Sequence, residues 1–370
     1  MLGLNRIKNT VFRLIGNSFG FPTELAVRDL YFKLRGGVDV GSMHILQKGT
    51  DRGSKYYILR YQIPLMGMGA VMRDALFVAL LAKKYGYKVL IEYDYCGCRI
   101  DEEIPNNLWE QFFVQKPTIK DVLSDKNNTV VLGPINARGI YNKKFERCLI
   151  GNSNDKCYFY SGEKGDRYRD TLRHIGFEFL DLQPDVKNSF EEQFQKMNSF
   201  FGNERVVGVL MREHFSEECL KYITNESHIK VLSYHPRVPN LDETIALLNK
   251  TMQEKNVKKV FVSTLYDETI KRFEEVFGNE NIYSIDRKRL NSYCYSEVDD
   301  LYDYNANFDE IVSGKNHIND DLLYERSKTY LLELFLLSKC NIFVSPKVGG
   351  GFIVPLMRKT EFEDIFYLEQ

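Results

Sequence analysis

The sequence predicts an α/β protein of two domains, each built around a parallel sheet with helices on both faces. Its 370 residues exceed what one hydrophobic core usually organises. Short apolar runs alternate with helical segments along the chain, and this alternation restarts near residue 206. Because parallel strands need a crossover connection, usually a helix, the alternation favours parallel sheets in both halves.

The first half opens with a strand, a glycine loop, a helix and a second strand. Residues 56–61 form a strand-like run, and the loop that follows contains Gly67 and Gly69. An apolar helix then ends at Gly86, before the buried run 88–93. This order predicts a right-handed parallel βαβ unit. The other elements predicted in this half are strands at 129–132 and 177–182 and helices at 108–113 and 167–176.

The second half repeats the pattern after a helical stretch at 189–201. Residues 205–211 form its first strand. Asn240, with Glu243 three residues later, is typical of a helix start. The remaining predicted elements are helices at 240–256, 268–277 and 324–338, strands at 259–264, 281–285 and 341–345, and an acidic insert at 291–319.

The restart of the pattern also predicts the domain boundaries. We expect an amino-terminal α/β domain at 1–195 and a second domain at 205–350. Residues 351–370 are a candidate segment that crosses back toward the first domain.

Composition excludes several classes of protein. The 50 Lys and Arg residues nearly cancel the 51 Asp and Glu residues, so a general nucleic-acid binder is not expected. Of the seven cysteines only Cys96 and Cys98 lie close together, which is neither a disulfide framework nor a zinc pattern and favours a reducing cytoplasm. No apolar run reaches the roughly 20 residues of a membrane span, and no signal peptide is recognisable.

One segment near the amino end is amphipathic. Residues 4–15 place apolar side chains on one helical face beside basic ones. This pattern is compatible with peripheral contact to an anionic membrane at the inner face. Packing of the helix on its own domain is the favoured alternative. The sequence does not indicate an oligomeric state.

Polar residues follow three strands of the second half, and ligands of open α/β sheets bind at the carboxyl ends of the strands. These residues are Arg212, Glu213 and His214 after the first strand, Ser263, Thr264 and Asp267 after the second, and Ser345, Lys347, Gly349, Gly350 and Gly351 after the last. They supply a guanidinium, hydroxyls, a carboxylate, an ammonium and backbone amides. A nucleoside diphosphate needs this set, and two Rossmann-like domains with parallel sheets facing a cleft form the GT-B architecture of glycosyltransferases.

The expected donor site contains no metal and no resident cofactor. A departing diphosphate is stabilised either by a divalent metal or by cationic side chains and backbone N–H groups. No Asp-x-Asp pair follows a predicted strand, because Asp299-Asp300 and Asp320-Asp321 lie in or beside the polar insert. Arg212 and Lys347, with the amides of residues 349–351, are therefore the expected phosphate ligands. The alternatives are a structural ion pair for Arg212 and a simple tight turn for the glycines.

Four segments of the second half resemble the α-1,6-fucosyltransferase-like family, which includes the rhizobial nodulation fucosyltransferases and bacterial proteins encoded with surface polysaccharide genes. Residues 208–215 (GVLMREHF) are similar to the family's "GVxxRGTD" or "HVRRxD" strand. Residues 234–245, with His235 and Pro236, resemble its "GHPxxP" turn, and residues 260–267 resemble its "IFLATDD" strand. Residues 330–341 (YLLELFLLSKCN) resemble its "ylteilllskcd" helix. Residues 286–289 after the third strand also fit, and residues 57–95 resemble the family more faintly.

The resemblance implies a GT-B fold, a nucleotide-sugar donor with GDP-fucose as its characterised form, inversion at the anomeric carbon and no metal. By position, Arg212 would hold the donor diphosphate, and Thr264 and Asp267 would contact the ribose or base. Ser345 and its loop would close over the phosphates, and His235 would belong to the donor site. Gly67, Gly69 and Arg73 would lie on the acceptor side.

An inverting transferase also needs a base within about 3 Å of the acceptor hydroxyl. Glu213 is the first candidate, His214 the second and Glu217 a further one. The family has Gly-Thr-Asp or Arg-x-Asp where this chain has Glu213, His214 and Phe215. The alternative function is therefore a non-catalytic nucleotide- or carbohydrate-binding relative that acts as a partner subunit.

Overall fold

The computed structural model divides the chain into two compact units. The first comprises Met1–Met66, Val71–Gln183 and Glu310–Asn316, and the second comprises Gly67–Ala70, Pro184–Asp309 and His317–Gln370. Within them the structure describes residues 44–61, 68–84, 86–93, 107–135, 169–170, 172–174, 180–211, 241–287, 289 and 320–368, together with 11, 14, 15, 18, 19 and 27.

The sheet of the first unit has the order β1-β4-β2-β3. Its strands are β1 (His44–Gln47), β2 (Lys55–Tyr61), β3 (Tyr87–Tyr93) and β4 (Thr129–Ile135). β2 pairs in parallel with β3 and β4, whereas β1 pairs antiparallel with β4. The helix α1 (Met68–Lys84) lies between β2 and β3 in sequence, which confirms the predicted parallel strand-helix-strand unit.

Two short helices follow β3, α2 (Leu108–Phe112) and α3 (Ile119–Ser124). The sequence before α2 also covers the outer edge of β3. Asn107 accepts from the backbone N–H of Tyr93 at 3.0 Å and donates to the carbonyl of Ile91 at 2.8 Å, and the amide of Gln115 bonds to both backbone groups of Ile91. Side-chain amides therefore satisfy an edge that would otherwise expose unpaired backbone groups.

The sheet of the second unit is parallel throughout and has the order β7-β6-β5-β8-β9. Its strands are β5 (Val206–Leu210), β6 (Lys259–Ser263), β7 (Ile282–Tyr283), β8 (Ile342–Pro346) and β9 (Asp364–Leu368). Counted from its own first strand, this order is 3-2-1-4-5, the order of a doubly wound Rossmann sheet. The α/β fold class with parallel sheets is thus confirmed.

The helices of the second unit match those predicted from periodicity, with one addition. They are α4 (Pro184–Phe201), α5 (Leu241–Lys255), α6 (Asp267–Phe277), α7 (Asp320–Leu337) and α8 (Gly349–Ile353), the last continuing into a 3-10 turn at Val354–Met357. Alternate strand residues such as Val207 and Val209 pack with Leu248 and Phe273 in one apolar core. In the part of the chain that the structure describes, every helix is too short or too polar to cross a membrane.

Among the described elements, α4 and β9 mark the two ends of the second unit's long part. All of α4 groups with this unit, which the chain enters again at Pro184. The domain bounds expected at 195 and 205 stay a prediction. The described part of the expected crossing segment, up to Leu368, also belongs to this unit. Its last strand, β9, pairs with β8 from Ile342↔Asp364 to Pro346↔Leu368, because the half-buried run Asp364–Leu368 extends the sheet by one strand.

Candidate functional site

The order of the second sheet locates a candidate ligand site. From β5 the chain adds β6 and then β7 on one side of the sheet, and it then adds β8 and β9 on the other side of β5. The topological switch point therefore lies between β5 and β8. Ligands of doubly wound sheets bind outside the carboxyl ends of the strands at this point. β5 ends at Leu210, and Met211 donates its N–H to the carbonyl of Ser263 at 2.9 Å.

Several predicted site residues follow β5 or precede α1 in parts of the chain that lie outside the described residues. These are Arg212, Glu213, His214, Glu217, His235 and Gly67. Their predicted roles stay predictions.

The residues after β6 form a tight turn into α6. The Oγ1 of Thr264 accepts from the N–H of Tyr266 at 3.1 Å, and Thr264 is buried. Asp267 begins α6, and its side chain is 39% exposed. A carboxylate at a helix N-terminus is favoured by the helix dipole. Thr264 therefore shapes the turn, and Asp267 presents an accessible carboxylate at the carboxyl edge of the sheet.

A buried carboxylate lies behind this turn. Glu333 lies on α7, where the neighbouring positions 331, 332 and 334 are buried leucines, and it is only 1% exposed. Its Oε2 accepts from the hydroxyl of Ser263 at 3.0 Å and from Nη1 of Arg287 at 3.1 Å. Burying an unpaired carboxylate costs several kcal/mol, and these two charge-assisted contacts offset that cost. The end of β6, the segment after β7 and the carboxyl-terminal half of α7 are thereby joined.

A second buried arginine completes the cluster. The side chain of Arg289 is 8% exposed, its Nη2 donates to the carbonyl of Ile285, and its Nη1 lies 3.9 Å from Oδ1 of Asp267. Burial lowers the pKa of Arg289, Arg287 acts in the same direction, and the carboxylates of Glu333, Asp267 and Asp286 oppose the change. An arginine stays protonated under such a shift. The cluster thus sets two guanidiniums against three carboxylates.

The residues after β8 are more enclosed than the sequence led us to expect. Ser345 is fully buried, and its Oγ donates to the carbonyl of Pro346 at 2.8 Å. A Cβ on Gly351 would lie 2.2 Å from that Oγ. Lys347, which follows β8, is half-buried. The Ser345 hydroxyl is therefore engaged with its own chain.

The glycines of α8 are buried at close backbone contacts. A Cβ on Gly349 would lie 2.8 Å from the backbone N of Ala70, and one on Gly350 would lie 2.3 Å from Oη of Tyr330. A Cβ on Gly69 would lie 2.8 Å from the backbone N of Gly350. Since residues 67–70 group with the second unit, all these contacts lie inside it. Close packing alone accounts for the run of glycines, and their binding to phosphate stays a prediction.

The structure separates the described site residues into two groups, on either side of β5. Ser345, Lys347 and the glycines lie at β8, whereas Thr264 and Asp267 lie at β6. Arg287, Arg289 and Glu333 join the second group. They lie in the segments 286–289 and 330–341 that resemble the family, but no role was predicted for any of them. The charged Glu333 inside an apolar helical run was the signal that could have indicated it.

In the first unit, an ion pair lies near the carboxyl ends of β2 and β3. Nε of Arg60 donates to Oε2 of Glu92 at 2.7 Å, and both side chains are buried. The two residues are also register partners in the sheet. Arg73, an expected acceptor-side residue, is half-buried on α1. Among the residues that the structure describes, no cluster of three or more His, Cys, Asp or Glu side chains is placed to hold a metal ion.

Comparisons with known proteins give structural but no sequence matches. The sequence matches no protein-family model and no curated protein. The solved structures that the chain resembles include fucosyltransferases. A NodZ α-1,6-fucosyltransferase soaked with GDP-fucose is 12% identical over 82% of this chain and 92% of that one, with a TM-score of 0.41. The fucosyltransferase NodZ from Bradyrhizobium is 12% identical over 80% of this chain and 90% of that one, with a TM-score of 0.39. POFUT1 in complex with GDP is 12% identical over 86% of this chain and 99% of that one, with a TM-score of 0.40.

Proposed function

We propose that this chain is a glycosyltransferase of the two-domain GT-B class, which moves a sugar from a nucleotide-sugar donor to a glycan acceptor. The observation that carries the proposal is the parallel 3-2-1-4-5 sheet of the second unit, with polar and charged residues at the carboxyl ends of its central strands. Sheets of this order bind nucleotides at that edge. Residues 208–215 and 260–267, which contain the carboxyl ends of β5 and β6, resemble segments of sugar-nucleotide transferases. This resemblance supports a sugar nucleotide over other nucleotides.

The strand order suggests how the donor lies. The diphosphate belongs at the switch point between β5 and β8, where Arg212 follows one strand and Lys347 the other. The nucleoside then extends along the edge toward β6, where Asp267 offers a carboxylate to the ribose or base. The proposed donor is GDP-linked, with GDP-fucose as the first candidate.

The proposed reaction is a single inverting displacement. The acceptor hydroxyl oxygen bonds to the anomeric carbon while the bond from that carbon to the diphosphate oxygen breaks. The hydroxyl proton passes to a base, for which Glu213 and then His214 are the candidates. The nucleoside diphosphate leaves with the bonding electrons, and Arg212 stabilises its growing charge. The proposal includes no metal ion and no resident cofactor.

The remaining assignments are proposals on sequence grounds. The first unit, with Arg73 on α1, would take the acceptor, and Gly69, which groups with the second unit, would face it from the donor side. The pathway would be synthesis of cell-surface polysaccharide or glycoconjugate. The proposed location is the cytoplasm, with residues 4–15 as the candidate contact to the inner face of the membrane.

The experiment that tests the function measures binding and turnover separately. Thermal shifts with GDP, UDP, CDP and dTDP identify the nucleotide, since a ligand at 100 times its Kd stabilises the folded state by about 2.7 kcal/mol. Release of labelled sugar from GDP-sugars, with and without glycan acceptors, then measures catalysis. Binding with turnover supports the transferase. Binding without turnover supports the non-catalytic relative, which the replacement of the family's Gly-Thr-Asp by Glu213, His214 and Phe215 would suit. No binding of any nucleotide rules out the transferase and leaves only a carbohydrate-binding relative.

A further inference from the structure

We propose that Arg287 selects guanine as the base of the donor nucleotide, by donating two hydrogen bonds to O6 and N7 of the purine, and that Glu333 is the positioning residue that orients it. This inference rests on the proposed function, because it concerns the nucleotide of the same donor. It adds a specificity-determining residue from the segment 286–289, to which no role was assigned above.

Arg287 lies where a base would reach. It follows β7, which is two strands from β5 in the sheet order. Neighbouring strands are about 4.8 Å apart, so the ends of β5 and β7 are separated by about 10 Å. A nucleoside that leaves its diphosphate at β5 and runs along the carboxyl edge spans that distance. Its base therefore arrives beside the segment after β7.

The guanidinium of Arg287 is held by one hydrogen bond, which leaves some of its N–H groups available to a ligand. Its Nη1 donates to Oε2 of Glu333 at 3.1 Å, and its side chain is 9% exposed. Among the residues that the structure describes, Nε and Nη2 have no hydrogen-bonding partner. These two N–H groups form one planar edge of the guanidinium, which suits a ligand with two adjacent acceptors.

The charges around Arg287 favour a neutral ligand over a phosphate. Glu333 contacts Arg287 directly, and the carboxylates of Asp267 and Asp286 lie in the same cluster with Arg289. Three carboxylates against two guanidiniums leave no excess positive charge for an anion. Neutral acceptor atoms do not meet this repulsion. The cluster is therefore suited to base atoms and not to a phosphate group.

Guanine is the base that matches two adjacent donors. Its O6 and N7 are neighbouring acceptors, whereas adenine places an amino donor beside N7. Uracil and thymine offer one carbonyl on the corresponding edge, and cytosine offers an amino donor. An arginine paired with O6 and N7 is the commonest specific protein contact to guanine.

Glu333 acts through Arg287 and not on the nucleotide. Ser263, the last residue of β6, donates to Glu333 at 3.0 Å and so ties the carboxylate to the strand end. Oε1 of Glu333 is buried and has no hydrogen-bonding partner within the described part of the chain. A carboxylate buried with one oxygen unsatisfied costs stability. Its orientation of Arg287 explains why a leucine does not take its place.

The test compares GDP with 7-deaza-GDP, in which N7 is replaced by a C–H group. Isothermal titration calorimetry gives both Kd values for wild type and for Arg287→Met, which keeps the side-chain length but has no donor. We expect wild type to prefer GDP by about tenfold, the effect of one hydrogen bond to a charged donor. Arg287→Met should bind both ligands equally, and Arg287→Lys should recover part of the preference.

Three further variants complete the design. Arg287→Met with Glu333→Gln removes both charges together and serves if the single variant does not fold. Arg272→Met is the matched control, because Arg272 is an exposed arginine on α6 of the same unit that pairs with Asp242 and Glu275. The control should keep the tenfold preference. Glu333→Gln alone should lower the GDP preference, whereas a merely structural loss would weaken both ligands by the same factor.

The outcomes distinguish this inference from the proposed function. Equal GDP and 7-deaza-GDP affinity in wild type, or an unchanged preference in Arg287→Met, overturns the role of Arg287 and leaves a transferase intact. An unchanged preference in Glu333→Gln overturns its positioning role alone. A wild-type protein that binds no nucleoside diphosphate overturns both the inference and the proposed function.

Discussion

Glu333 illustrates how one buried charge organises its surroundings. Its carboxylate is buried and is compensated by one hydroxyl and one guanidinium from two other segments. Replacing such a network by apolar residues is often neutral or stabilising in proteins, so its retention is weak evidence for stability. A role in orienting Arg287 accounts for it better.

Arg212 is the single residue whose replacement should matter most. A guanidinium can bind two phosphate oxygens at once, whereas an ammonium acts as a point charge. Arg212→Ala should therefore lose about 2.7–4 kcal/mol of transition-state stabilisation, by analogy with the loss of a positioned oxyanion donor, and should lower kcat as well as donor affinity. Arg212→Lys should not restore it.

Steady-state kinetics with the identified donor measures both variants. Lys347→Ala serves as the comparison, since it removes a cation on the other side of the switch point. Near wild-type kcat and nucleotide affinity in a folded Arg212→Ala protein would mean that Arg212 is structural and that the proposed donor site is misplaced.

The elements at the opposite, amino-terminal edge of the second sheet are joined by a polar network. Arg205 pairs with Glu363, and Glu363 also accepts from Asn341 at 3.1 Å. The hydrogen bond from Arg205 lowers the pKa of Glu363 below its usual value. The contacts connect the residues before β5, β8 and β9, and so hold three parallel strands in register.

The lowered pKa of Glu363 predicts a dependence of stability on pH. A carboxyl whose pKa is lower in the folded state stabilises the fold above its unfolded pKa of about 4.3, and this contribution disappears as the pH falls through the folded value. The stability difference between wild type and Glu363→Gln should therefore be largest near pH 7 and should shrink below pH 4.3.

Urea unfolding at a series of pH values measures this difference. Glu363 is 42% exposed, so the effect should be modest and should weaken in high salt. A difference that is constant from pH 7 to pH 3 would show that the ion pair contributes nothing to it.

The helix α8 depends on the absence of a side chain at three positions. Gly350→Ala would place a Cβ 2.3 Å from Oη of Tyr330 and 3.0 Å from Cδ2 of Leu210. Overpacking of this kind costs about 1–3 kcal/mol. The double variant Gly350→Ala with Tyr330→Phe removes the closest contact and should recover part of the loss.

A double-mutant cycle by chemical denaturation tests this contact. The coupling between the two positions should exceed about 0.5 kcal/mol, as for residues in direct contact. Additive effects would place the cause of any destabilisation elsewhere in α8.

Sequence periodicity predicted the long elements but not α8 or β9. Three consecutive glycines favour a turn by local propensity, and the helix forms because they fit against Ala70, Tyr330 and Ser345. β9 follows the last recognisable motif, and its pairing with β8 is a tertiary contact. The positions of the candidate site residues at the strand ends could be predicted from the order of strands and helices along the chain. Glu333 did not, because its partner Ser263 lies 70 residues away.

For the molecule as a whole, ligand binding should affect the two units differently. If the donor nucleotide binds at the carboxyl ends of β5, β6 and β8, saturating GDP should slow amide hydrogen exchange there and in α6. The first unit's strands β2 and β4 should be unaffected by nucleotide alone. EDTA should change neither pattern, because the proposed site uses no metal.

Hydrogen-exchange mass spectrometry with GDP, with and without EDTA, measures the change in exchange rate in each strand and helix. UDP or the nucleotide that binds most weakly serves as the control. Protection that disappears with EDTA and returns with Mg²⁺ or Mn²⁺ would contradict metal-independent binding. Protection confined to the first unit would place the nucleotide site there and would contradict the proposed site in the second unit.

The central position of β5 has a consequence for how the second unit folds. The N–H of Val206, at the start of β5, donates to the side chain of Asn341, which is 135 residues later in the sequence. At a synthesis rate of about 5–20 residues per second, one side of β5 stays without its partner strand β8 for about 7 to 27 seconds. Contacts of such long sequence separation also fold slowly. The second unit should therefore fold largely after β8 has been synthesised. Until then the unpaired edge of β5 is exposed, and we expect this edge to make the protein dependent on chaperones during expression.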